Sequence, residues 1–181
     1  NTALGYRALE KNIATINTAV GLEALQENTT GVHNTALGAY AADDNTTGSN
    51  NTAIGNDSLV NLTTSNAATC VGRFSGKANT ASQVTYIGTN CFYQSTTGSD
   101  NVGMGYDAGY NNTTGDYNTV VGTEALFTNT TTNECTAIGY QALYTSTVAS
   151  NTAVGYQAMK ATTTGGNNVA MGNAALDANT T

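Results

Sequence analysis

Along the whole chain an aliphatic residue stands immediately before a glycine. The aliphatic positions are Leu4, Val20, Leu37, Ile54, Val71, Ile87, Met104, Val121, Ile138, Val154 and Met171. The glycines that follow them are Gly5, Gly21, Gly38, Gly55, Gly72, Gly88, Gly105, Gly122, Gly139, Gly155 and Gly172. Successive glycines are 16, 17, 17, 17, 16, 17, 17, 17, 16 and 17 residues apart, so residues 1–181 read as one array of eleven copies of a short repeat. With glycine as slot five, the best copies read Asn-Thr-Ala-aliphatic-Gly-Tyr-Gln-Ala-Leu, as from Asn151 to Met159. A turn-like tail follows, and it is Asn-Thr-Thr-Gly at Asn28 to Gly31, Asn45 to Gly48 and Asn112 to Gly115.

Alternation along a strand puts slots two and four on one face and slots three and five on the other. Slot four is aliphatic in every copy, which predicts a buried core row. Slot two, Thr in nine copies with Val102 and Val169 as exceptions, is expected to share that inward face. Slots three and five, mostly Ala and Gly, then form an outer face small enough for another backbone to approach. A glycine in every slot five points to a backbone conformation or a contact that a Cβ would obstruct. Slot eight is small throughout and slot nine mostly apolar, which predicts a second short strand feeding the core.

Helical repeats run to about 33–47 residues, so seventeen residues rich in Thr and Asn fit one coil of a parallel β-solenoid better. At about 4.8 Å per coil, eleven coils make a rod roughly 50 Å long. Stacking turns each slot into a ladder that a single coil could not bury. The sixteen-residue copies are expected to lose their residue in the tail, where deletion leaves strand register intact.

Composition adds exclusions. There is no Pro or Trp, only 9% of residues are charged, and the net charge is −7 with no basic run, a poor match to a nucleic-acid backbone. No apolar stretch is long enough for a membrane span. The opening at Asn1, in the first slot of a copy, suggests a window of a longer fibre protein.

The Asn-Thr-Ala-Ile/Val-Gly core at Asn51 to Gly55 and Asn151 to Gly155 resembles the head repeats of YadA-type trimeric autotransporter adhesins and related repeats of bacteriophage tail fibres, through all eleven copies. The resemblance implies a left-handed parallel β-roll in which three chains associate side by side. The Ala and Gly face is the expected contact. Two features depart from the family: the repeat is longer, and slot two carries Thr where the family has an aliphatic residue.

Candidate chemistry is sparse. Cys70, Cys91 and Cys135 lack the spacing of a zinc site and read as small buried thiols. His33 is the one histidine, and no copy pairs it with a recurrent nucleophile or carboxylate. The GxGxxxG string of Gly103, Gly105 and Gly109 lacks the spacing of a dinucleotide fingerprint. Asp43 with Asp44, and Asp100, Asp107 and Asp116, read as a solvated acidic rim and not a calcium loop. Asn28, Asn45, Asn112, Asn129, Asn50, Asn56, Asn61, Asn111 and Asn179 begin glycosylation sequons. At the Asn-Thr-Thr-Gly sites a turn, with Asn bonding locally and Gly at positive φ, accounts for them better. Tyr6, Tyr106, Tyr140 and Tyr156 in slot six, with Tyr93, Tyr110 and Tyr144 in slot ten, suit packing between chains or contact with a glycan or host receptor.

These features predict a structural or adhesive segment of an extracellular fibre on a cell or virion surface. It would have no catalytic residues, no metal and no cofactor, and would associate with itself as a homotrimer or filament. A monomeric ice-binding solenoid is the rival, because Thr in register on parallel coils is what an ice-binding face requires. Against it stands the expectation that the slot-two Thr row points inward.

Overall fold

The computed structural model describes residues 1–178. It is an all-β solenoid with one short strand per copy: β1 (Thr2–Leu4), β2 (Thr18–Val20), β3 (Thr35–Leu37), β4 (Thr52–Ile54), β5 (Thr69–Val71), β6 (Thr85–Ile87), β7 (Val102–Met104), β8 (Thr119–Val121), β9 (Thr136–Ile138), β10 (Thr152–Val154) and β11 (Val169–Met171). They form one parallel sheet in chain order. Like slots pair, as in Thr35 with Thr52, Ala36 with Ala53 and Leu37 with Ile54. The register also holds across the sixteen-residue intervals, where Thr2 faces Thr18 and Thr69 faces Thr85.

The missing residue of the short copies lies in the tail. In full copies the slot-twelve Asn side chain donates to the carbonyl three residues on, Asn28 to Gly31 at 3.0 Å and Asn45 to Gly48 at 3.1 Å. In short copies it reaches only two residues, Asn12 to Ala14 and Asn79 to Ala81. One side chain thus closes both loop lengths.

Coils are bonded to their neighbours all the way round, not only along the strands. Between the second and third coils the Thr18 N–H donates to Asn34, Gly38 to Val20, Tyr40 to Leu22, Leu25 to Ala41, Glu27 to Asp43 and Thr29 to Thr46, all at 2.8–3.0 Å. The corners between these straight runs need left-handed residues. Slots seven and nine, and the last tail residue, have φ near +50 to +60°, as at Glu23, Leu25 and His33. Slots eight and nine therefore enter the core from a turn and not from the expected second strand.

Which face turns inward is the reverse of the expectation. The slot-three residues Ala19, Ala36, Ala53, Cys70, Tyr86, Val120, Ala137 and Ala153 are fully buried, and with them slot-eight residues such as Ala24, Ala125 and Ala142 and slot-nine residues such as Leu25, Leu126 and Met159. In the slot-four row Leu4, Leu37, Met104, Ile138 and Met171 are exposed, and Val20, Ile54, Val71, Ile87, Val121 and Val154 only partly covered. Slot four is the outer row. The reason is volume: a seventeen-residue coil encloses a narrow lumen already occupied by slots eight and nine, so the strand must direct its small residues inward. The Ala and Gly face consequently cannot be a contact between chains.

Slot one, in phase with slot three, also points inward and carries a buried polar ladder. The Asn34 Oδ1 accepts from the Asn51 N–H of the next coil at 3.0 Å, while its Nδ2 donates to Gly48 O at 2.8 Å. A parallel ladder in slot twelve runs from Asn45 Nδ2 to Asn28 Oδ1 and from Asn28 Nδ2 to Asn12 Oδ1. The next coil has Leu62 in slot twelve, and there the ladder stops, leaving Asn45 Oδ1 buried without a partner.

The slot-five glycines have φ between +127° and +142°. A Cβ at Gly38 would lie 2.6 Å from the backbone of Gly55, the same slot one coil on, so conformation and close approach both exclude a side chain. The tail glycines Gly31, Gly48 and Gly115 differ from the expectation. They do not have positive φ, and glycine is required because a Cβ would come under 3.0 Å from the next coil's backbone oxygen.

One stretch of lumen is filled differently. Tyr86 in slot three stacks on Phe92 in slot nine, with ring centroids 4.4 Å apart and planes 5° from parallel. Gly76, Gly103 and Gly109 make the room, since a Cβ at Gly103 or Gly109 would meet the Phe92 ring within 2.8 Å and one at Gly76 would meet Tyr86 at 3.0 Å. The Tyr86 hydroxyl lies 3.3 Å from the Ser95 hydroxyl, in the slot that elsewhere holds the ladder Asn.

Candidate interaction surfaces

The outward face of the sheet sets a row of Thr beside a row of aliphatic side chains. The strands are three residues long and in register, so each row repeats every coil, and slots two and four stand about 6.8 Å apart. Among the described residues the slot-two hydroxyls make no hydrogen bond within the chain. Slot-six tyrosines extend this face: Tyr6, Tyr106, Tyr140 and Tyr156 are exposed, and the last two stack at 5.2 Å. Slot-thirteen hydroxyls, by contrast, are committed to the next coil, as from Thr96 to Thr113 O and from Thr113 to Thr130 O at 2.9 and 2.8 Å.

A second face carries an aromatic ladder in slot ten. Tyr93, Tyr110, Phe127 and Tyr144 stack in sequence with centroids 5.1, 5.4 and 5.3 Å apart. Phe127 completes the row that the tyrosines alone suggested, and is visible only when the slot is read without regard to residue type. A lysine stands at each end. Lys77 Nζ lies 4.6 Å from the Phe74 centroid and 5.8 Å from that of Tyr93, and Lys160 Nζ lies 6.0 Å from that of Tyr144. At the Lys77 end the surface opens into a notch of about 390 Å³.

The remaining candidates are dispersed. Asp43 and Asp44 sit on one corner with Glu27, and Asp43 is half-buried with one oxygen lacking a partner. Burial, then the neighbouring Asp44 charge, pushes its carboxyl up to about 6. Asp107 accepts from Asn90 and Asp116 from the Ser99 N–H, both between the sixth and seventh coils but at different slots of the coil. No cluster of His, Cys, Asp or Glu among the described residues could hold a metal. Cys70, Cys91 and Cys135 are buried free thiols, and burial pushes Cys91 up to about 12 and Cys70 upward. His33 is exposed at a corner.

The sequon residues Asn28, Asn45, Asn112 and Asn129 are fully buried, held by the slot-twelve bonds and closed to modification in the folded coil. Asn50 and Asn61 are exposed, and Asn179 lies outside the described residues. Among the described residues no helix is long and apolar enough to cross a membrane. No family model matches this chain, and neither the curated proteins nor the solved structures offer a match.

Proposed function

We propose that the chain is a stiff rod segment of an extracellular fibre or adhesin, on a cell or virion surface, and that copies pack side by side through the slot-two and slot-four face, three to a bundle. The observation that supports this reading is the uninterrupted aliphatic row on the outside of the sheet, with Leu37 48%, Met104 49% and Ile138 37% exposed. An apolar stripe of this length is unusual on a soluble monomer, and a flat in-register face is self-complementary along its whole length. The number three comes from the resemblance to trimeric adhesin heads. No binding chemistry beyond apolar contact is needed for a rod that holds a distal element away from a surface.

Sedimentation of the purified chain is expected to give a trimer. Ile138→Lys combined with Val154→Lys should dissociate it while the far-ultraviolet circular dichroism of the coil persists. Because slot four lies outside the core, Ile138→Asp should cost the isolated coil under about 1 kcal/mol. A monomer at micromolar concentration overturns the assembly, and a core-sized loss overturns the outward placement.

The outward Thr row favours a second reading, ice binding, since the inward orientation that counted against it does not hold. Thermal hysteresis by dilute monomer, abolished by Thr136→Leu with Thr152→Leu, would establish ice binding in place of the rod bundle.

A further inference from the structure

The notch at the end of the aromatic ladder is a built recess. Slot eleven carries Asn61, Ala78, Gln94 and Asn111 in successive coils, so the recess opens where one long amide side chain is replaced by a methyl group. Asn61, Lys77, Ala78, Tyr93 and Gln94 line it, with the slot-thirteen threonines Thr96 and Thr113. The volume, about 390 Å³, lies in the range of small-ligand sites. It draws on slots ten to thirteen and stays open whether or not the slot-four face is covered.

The groups around it are unsaturated in a specific way. Gln94 Nε2 donates to Asn111 Oδ1 at 3.2 Å, leaving its carbonyl oxygen as an acceptor. The Asn61 amide is exposed and makes no side-chain bond within the chain. Charge is distributed unevenly too. Of the five Lys and Arg, Arg7 and Lys11 are taken up by Glu10, Glu23 and Glu27. Among the described residues Arg73, Lys77 and Lys160 make no ion pair. Lys77 lines the notch and lies 4.6 Å from the Phe74 centroid, with Arg73 4.1 Å from the same ring, so a chain of net charge −7 places one unpaired cation in the notch and a second over the ring that Lys77 contacts.

We propose that this notch binds a carboxylated sugar unit of an acidic polysaccharide or glycan. The carboxylate would meet Lys77 Nζ, a strong donor that no carboxylate of the chain satisfies. The C–H face of the pyranose would lie on Ala78 and the edge of Tyr93, and its hydroxyls would reach the free acceptor of Gln94 and the Asn61 amide. A neutral sugar leaves the ammonium unused, and an acidic peptide lacks the ring face and the adjacent hydroxyls that would lie on Ala78 and reach Gln94 and Asn61 together, so the combination favours the uronate.

The test is titration calorimetry of the full chain with a hexuronate oligosaccharide, its neutral hexose counterpart and oligoglutamate. The uronate should bind at least tenfold more tightly than either of the others, and less tightly as salt rises. Lys77→Met keeps the aliphatic stem and should abolish that preference. Ala78→Gln restores the amide that slot eleven accepts at position 94, so the coil should fold, as circular dichroism will show, with uronate binding lost. Equal affinity for uronate and neutral sugar, tighter binding of oligoglutamate, absence of binding, or full binding by Ala78→Gln would each overturn the proposal.

Discussion

The second and third coils and the fifth to seventh coils share one backbone but fill it in opposite ways. In the former the lumen is Ala19 and Ala36 against Ala24 and Ala41, with Leu25 as the large side chain and buried Asn ladders on both flanks. In the latter Tyr86 and Phe92 occupy the axis, Gly76, Gly103 and Gly109 surround them, and Ala68 and Val84 replace the slot-one Asn. What stays constant along the rod is lumen volume per few coils, not residue type per slot. A ring enters where neighbouring slots shrink: Phe92 lies between Gly76 and Gly109 in slot nine, and Tyr86 between Cys70 and Gly103 in slot three.

Filling one of the compensating glycines should have the largest effect. Slot nine accepts Leu at the same left-handed conformation elsewhere, as at Leu126 with φ 50° against 62° at Gly109, so backbone strain does not separate the two. Gly109→Leu should nevertheless destabilise by about 3 kcal/mol in urea unfolding, because the side chain must enter space held by Phe92. Adding Phe92→Leu to the same chain should recover most of the loss. If the double variant is no better than the single, volume exchange is the wrong explanation.

The polar flanks offer the next largest contrast. Asn28→Ala removes three bonds from the small-lumen coils, two donated and one accepted, and should cost about 2 kcal/mol. Ser95→Ala occupies the same slot in the aromatic coils and removes one 3.3 Å contact with Tyr86, so about 1 kcal/mol or less is expected. Equal losses would show that the ladder is no stronger than a lone hydroxyl pair.

The smallest effect concerns slot ten, which holds an acid in the third coil and Lys77 and Tyr93 in the fifth and sixth. Burial raises the Asp43 carboxyl from an ordinary 3.8 to about 6, so the fold favours its neutral form. Its stabilising contribution is full below the ordinary value and is lost as pH rises through about 6. Melting temperatures across that window should fall with rising pH in the parent chain. The fall should flatten in Asp43→Asn, which should also be the more stable of the two near neutrality. A parent profile no steeper than the variant's would remove the pH argument.

Spacing alone made the solenoid and its register legible, because glycine at fixed intervals and an aliphatic neighbour are enough to identify stacked coils. The facing of the strand was not, and the reason lies in what hydrophobicity can report. Slot four is the more apolar row, but slot three is mostly the smaller one, Ala in seven copies, and in so narrow a lumen size decides. The signal was present in the exceptions. The only Gly in slot three, Gly103, follows Tyr86 by one coil, and the only two in slot nine, Gly76 and Gly109, bracket Phe92. Residues that change volume together across adjacent coils must be touching, and that marks slots three and nine as internal. The notch has a similar local signature, Ala78 standing in slot eleven between Asn61 one coil before and Gln94 one coil after.

Because each coil is bonded around its circumference to the coils directly above and below, those bonds lie along the rod axis, and tension applied to the two ends loads them one coil at a time. A coil that opens releases roughly 55–60 Å of extended chain where it had occupied about 4.8 Å. Under load the chain is therefore a tether of large reserve extension that lengthens stepwise, and each released coil can re-form on the template left by its neighbour.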